Sequence, residues 1–149
     1  MNNRLFIASL IFLGFLFVSP LQAMEIDKMN NGIERTELCR TKRDGYLIQG
    51  DLPKAAKWAN KVINENSQAP DNPHATIEDF RIARDTYAHL ALQNANYLGD
   101  AISYAQRVTD LDEALPEDFY ITIELCRKAG WDEQVAYYES ICGTDKKAY

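Results

Sequence analysis

Apolar residues recur along this chain at spacings of three and four, the period of a helix that buries one face. The first such run predicts a helix from Ile33 to Gln49, with Leu38, Tyr46 and Leu47 among its apolar positions. Gly50 serves the turn that follows, because glycine takes positive φ without a steric penalty. Asp51 is placed to cap the next helix, and Pro53 falls in its first turn, where a missing N–H does no harm. Ala55, Ala56, Ala59, Val62 and Ile63 then share one helical face. Asn64 to His74 is polar and carries two prolines, which reads as the longest loop after the N-terminal segment.

Thr76 with Asp79 resembles a capping box, and helix three is expected to run on to about Leu98 through Phe80, Ala83, Tyr87, Leu90, Ala91 and Asn94. Gly99 and Asp100 repeat the Gly50-Asp51 pair, so a second turn is expected there, with helix four carrying Ile102, Ala105, Val108 and Leu111. Pro116 starts helix five, with Glu117 and Asp118 favourably placed against the helix dipole and Phe119, Ile123 and Cys126 as its apolar seam. Gly130 ends it. Trp131 to Cys142 forms helix six, with Val135, Ala136, Tyr138 and Ile141 facing inward. The pattern predicts an all-α domain over residues 33–142, six helices in three hairpins and no strand. Residues 24–32 read as a loose lead-in and 143–149 as a polar tail.

Three of these turns share a spacing: Gly50 to Ala56, Gly99 to Ala105 and Gly130 to Ala136 each place an alanine six residues after a glycine. With Tyr46 four residues before the first glycine and Pro116 closing the second unit, the chain resembles a tetratricopeptide-type helical repeat. It departs from that family in its spacing. The turn glycines are 49 and 31 residues apart, where the family holds to about 34. The resemblance implies a short solenoid whose first helices line a concave binding surface. Carried onto the matching positions, that surface presents Arg40 and Asp44, then His89, Gln93, Asn96 and Tyr97, then Tyr120, Glu124 and Arg127. Amide and hydroxyl groups there could pair with an extended peptide. An ordinary hydrated helix face accounts for the same residues.

The first 23 residues read differently. Arg4 precedes an almost wholly apolar run from Leu5 to Val18, Ser19-Pro20 breaks it, and Ala23 offers a small residue for cleavage. This is the pattern of a secretory signal peptide spanning residues 1–23, with a periplasmic or secreted product. The run is shorter than the roughly 18 residues that a spanning helix needs. The whole chain carries a net charge of −6, and loss of Arg4 leaves 22 acids against 15 bases. That balance argues against nucleic acid and against anionic lipid as partners.

The charge is unevenly spread. Residues 24–66 hold eight bases and seven acids, whereas residues 109–139 hold nine acids against Arg127 and Lys128. Such an asymmetry could steer head-to-tail association or a basic partner; solvated helix faces explain it too. Cys39, Cys126 and Cys142 leave open one disulfide, a bond between chains, or three thiols. His74 and His89 form no ligand pair on a helix face, and no zinc, haem, calcium, phosphate-loop or nucleophile motif is present. No cofactor, metal or catalytic residue is therefore expected. The chain reads as a non-enzymatic exported adaptor that holds a protein or peptide. The alternative is a self-associating envelope protein whose last hairpin docks on another copy. A third reading uses the Asn64–His74 loop as a plug.

Overall fold

The computed structural model describes residues 32–64 and 72–144, and the leader and cleavage site read from residues 1–23 lie outside them. The described residues form six α-helices and one short 3-10 turn, with no strand: α1 (Gly32–Ile48), α2 (Leu52–Ile63), α3 (Ile77–Gln93), the turn Ala95–Tyr97, α4 (Leu98–Thr109), α5 (Pro116–Ala129) and α6 (Asp132–Thr144). The all-α expectation is met. The substantial helix–helix packing joins neighbours in sequence: α1 with α2, α2 with α3, and so on to α6.

Two of the hairpin turns are built alike. Gly50 (φ 72°) and Gly130 (φ 71°) adopt the left-handed conformation. At the first, the Gly50 amide donates to Leu47 O at 3.0 Å and the Asp51 amide to Tyr46 O at 3.0 Å. At the last, the Gly130 amide donates to Arg127 O at 3.1 Å and the Trp131 amide to Cys126 O at 3.0 Å. Each pair satisfies carbonyls that the helix end would otherwise leave open. Asp51 then caps α2, its Oδ1 accepting from the Lys54 amide at 3.2 Å.

The middle turn departs from expectation. Helix three does not reach Leu98, and Gly99-Asp100 is not the turn. Asn94 ends α3 in an extended conformation, and its side-chain oxygen accepts from the Asn96 amide at 3.0 Å. That local bond competes with helix continuation. Gly99 lies inside the first turn of α4. The glycine–alanine spacing thus marks two of the hairpin turns and misplaces the third.

The core is continuous through the array. Ala56, Ala59 and Ile63 of α2 meet Phe80, Ala83, Tyr87 and Leu90 of α3, then Ala101, Ile102, Tyr104, Ala105 and Val108 of α4 and Leu125 and Cys126 of α5. Alanines without exposed surface (Ala55, Ala59, Ala83, Ala101, Ala105) let the helices approach closely, and Tyr87 stacks on Tyr104 with ring centroids 5.4 Å apart. Asn72 pins the end of the α2–α3 connection. Its amide nitrogen donates to Thr36 Oγ1 at 2.7 Å and to Val62 O at 2.8 Å.

The last hairpin is less covered. Tyr138 is buried against Phe119 at a centroid distance of 6.4 Å, but Ala136, expected to face inward, is exposed. No described helix follows α6 to cover it. The helix also runs on through Gly143 and Thr144, which the sequence pattern assigns to the polar tail.

Candidate functional site

Two leading helices carry the same five-residue phrase, Arg40-Thr-Lys-Arg43-Asp44 in α1 and Arg81-Ile-Ala-Arg84-Asp85 in α3. In each case both arginines close on an aspartate in the first turn of the next leading helix. Arg40 Nε lies 3.0 and 3.1 Å from the two carboxylate oxygens of Asp79, and Arg43 Nη1 donates to Asp79 Oδ1 at 2.7 Å. Arg81 Nη2 donates to Asp118 Oδ2 at 2.6 Å, and Arg84 Nη1 to Asp118 Oδ1 at 2.7 Å. Each first arginine also reaches the carbonyl five residues before its aspartate: Arg40 to His74 O at 2.8 Å, Arg81 to Glu113 O at 3.4 Å.

The aspartates do a second job. Asp79 Oδ2 accepts from the Thr76 amide at 2.9 Å, and Asp118 Oδ2 accepts from the Leu115 amide at 2.9 Å. Each carboxylate therefore caps its own helix and joins it to the hairpin before. Asp79 is 2 % exposed, Asp118 3 %, Arg43 4 % and Arg84 4 %. Burial by itself would raise both carboxyls; arginine and backbone hydrogen bonds outweigh it and hold each down at about 2. Removal from water is costly for such ions unless their hydrogen bonds are completed. Here they are: no buried side-chain nitrogen or oxygen among the described residues lacks a partner.

The clamps also order the outer surface of the leading helices. Glu37 pairs with Arg40 and Asp44 with Arg43; Glu78 pairs with Arg81 and Asp85 with Arg84. Each clamp counts three carboxylates and two guanidiniums, an excess of one negative charge. α5 continues the exposed acidic positions with Glu117 and Glu124.

Against this frame of joints, the nine residues expected on a concave surface fall into three places. Arg40 is turned into the first clamp, with Asp44 exposed beside it. His89 and Gln93 are exposed on α3, with His89 Nδ1 2.9 Å from Asp85 O. Asn96 and Tyr97 lie beyond the helix end, in the 3-10 turn, and Tyr97 packs inward near Tyr87 at 6.1 Å. Tyr120, Glu124 and Arg127 come together around a hollow of about 300 Å³ between α5 and α6, with Ile123, Glu139, Cys142 and Gly143 completing its lining. Arg127 spans that hollow, paired with both Glu124 and Glu139.

No family model, curated protein or solved structure matches this chain. The geometry therefore has to carry the functional argument. Among the described residues, no three His, Cys, Asp or Glu side chains are grouped to hold a metal ion, and no helix is long and apolar enough to cross a membrane. Cys126 is buried, which pushes its thiol up, and Cys142 sits at the rim of the hollow; both are free thiols.

Arg43, Arg81 and Arg84 escape sequence reasoning, and Asp79 and Asp118 read there only as acids that start a helix. A signal for them was present. The Arg-x-x-Arg-Asp phrase recurs after 41 residues and the Asp-Phe pair, Asp79-Phe80 and Asp118-Phe119, after 39. Charged residues in helices read by default as solvated, and the glycine–alanine spacing is the more conspicuous repeat.

Proposed function

We propose that this chain is an exported helical-repeat adaptor, a short tetratricopeptide-like solenoid that holds a protein or peptide on the outer face of α1, α3 and α5. The observation that carries this reading is the recurrence of the clamp. Identical side-chain bonds at Asp79 and Asp118 place successive leading helices in the same register. Equivalent exposed positions then line up across the hairpins, with Asp44, Asp85 and Glu124 as one such row. Contact between sequence neighbours alone is how stacked repeats are organised, and such arrays commonly bind along an extended face. A hollow bridged by an arginine–carboxylate pair suits side-chain recognition better than bond-breaking chemistry. Binding without catalysis is accordingly the function put forward, outside the cytoplasm after removal of residues 1–23.

The test is peptide-display selection on the protein as the cell produces it, followed by affinity measurement on variants. His89→Ala and Gln93→Ala, both exposed on α3, should each weaken the selected peptide by about tenfold. Lys57→Ala, on the exposed side of α2, should leave it unchanged. Equal affinity for all three would end the reading. Fractionation with N-terminal sequencing checks the address, the expected first residue being Met24.

A further inference from the structure

The third hairpin offers a stacking surface that the first two hairpins use and it does not. Within the chain, α2 presents Ala56 and Ala59 to α3 while Arg40 and Arg43 hold Asp79. α4 and the Arg81–Arg84 pair receive α5 in the same way. At the corresponding position of the third hairpin, Ala136 lies exposed on α6, whose Glu139 and Cys142 line the hollow with Tyr120 and Ile123. Of the eight large apolar side chains exposed among the described residues, four belong to this hairpin: Tyr120 (52 %), Ile121, Trp131 and Tyr137 (60 %).

The two ends of the array are altered in matching ways. Shifting the second clamp by 39 residues puts Tyr120 and Ile123 where Arg81 and Arg84 stand. Shifting Asp79 back by 41 residues puts Leu38 in its place. At about 100° per residue, Leu38 lies on the opposite side of α1 from Arg40 and Arg43, so it faces away from α3. The end with no clamp arginines thus carries an exposed tyrosine and a buried isoleucine, and the end with no clamp acid a half-buried leucine. Apolar residues thus stand at the clamp positions of both ends, where the joints inside the chain use charged ones.

We propose that the end of the third hairpin receives the first hairpin of a second copy of this chain, head to tail, with Leu38 of one copy entering the hollow at Tyr120 and Ile123 of the other. The charge distribution agrees with this order. The leading third of the chain carries eight bases to seven acids, and the trailing segment nine acids to two bases. Because the two surfaces are different, each copy keeps one of them free for a further copy, and association continues beyond a pair.

Sedimentation velocity across a wide concentration range tests it, on the protein as the cell produces it. The mass of the parent should rise with concentration. Leu38→Asp and Tyr120→Arg should each weaken association by about tenfold or more, since each buries an unpaired charge in an apolar joint. A mixture of the two variants should associate where neither does alone, because Leu38 of the Tyr120→Arg chain still meets Tyr120 of the Leu38→Asp chain; growth beyond a one-to-one complex shows that the two introduced charges pair as well. Should Leu38→Asp lose its helical circular dichroism, Leu38→Gln takes its place. A parent that stays monomeric throughout overturns the proposal. So does wild-type association by either single variant, or a mixture no tighter than its components.

Discussion

Asp79 shows how much one side chain can hold together here. It caps α3 through the Thr76 amide and accepts from Arg40 and Arg43 of the preceding hairpin, with almost no exposure to water. Replacing it by alanine leaves two guanidiniums without their buried partner and should cost about 3 kcal/mol, read from urea denaturation. Acid acts on the same contacts. A carboxyl held at about 2 rather than its ordinary 3.8 stabilises the fold fully above about pH 4. That contribution is lost as the pH falls through about 2, and amounts to about 2 kcal/mol at each of Asp79 and Asp118. A pH titration of unfolding from neutral to acid should show the loss in that window, and the Asp79→Asn variant should show about half of it.

Glycines give a second residue-scale contrast. A side chain at Gly130 would meet nothing within 4 Å, so the cost of Gly130→Ala is the positive φ alone, about 1 kcal/mol. Gly99 also has open space around it but sits in a helix with ordinary φ. Gly99→Ala should therefore stabilise by about 0.5 to 1 kcal/mol. Thermal melts of the two variants should move in opposite directions. The same contrast explains what was legible in the sequence. Gly50 and Gly130 announce their turns because left-handed backbone selects glycine. Asn94 ends its helix by a side-chain bond to Asn96, which leaves only a weak mark in a row of polar residues.

At the scale of the elements, α4 and α6 differ in what covers them. α4 is packed by α3 before it and α5 after it, and buries Ala101, Ile102, Ala105 and Val108 completely. α6 packs mainly on α5, with Tyr138 also reaching Thr109 of α4, and Tyr138 alone of its described side chains is buried. Hydrogen exchange should find the α4 amides among the slowest and the α6 amides among the fastest of the helical ones. Helix type and order could be read from apolar spacing, since five of the six helices bury a periodic face. The register between hairpins could not. It depends on long charged side chains reaching across to another hairpin, and residues such as Arg43 and Asp118 have no apolar period to betray them. The nine residues carried over to a concave surface fall in separate places: Arg40 is turned into a joint, Asn96 and Tyr97 belong to a turn, and Tyr120, Glu124 and Arg127 share one hollow.

Over the whole molecule, stability is distributed as a row of local joints. Each hairpin meets its neighbours through one buried carboxylate, two arginines and a patch of alanine packing, and among the described helices no substantial packing ties the first hairpin to the last. Weakening one joint should therefore loosen one end and spare the rest. Asp118→Asn is expected to let α5 and α6 unfold at lower denaturant than α1 to α4. Residue-resolved exchange at increasing urea would separate the two transitions, where a single shared transition would show a tighter coupling than these contacts imply.

The middle hairpin has one property that neither end shares: it carries the aspartate at its front and the arginine pair at its back. It can therefore succeed itself. A second copy of residues 79–117 spliced before Asp118 would present Asp79 to one arginine pair and hand another pair on to Asp118. Length in this protein is in that sense a free parameter, since duplication of one hairpin would supply both halves of each added ionic joint from side chains already used that way.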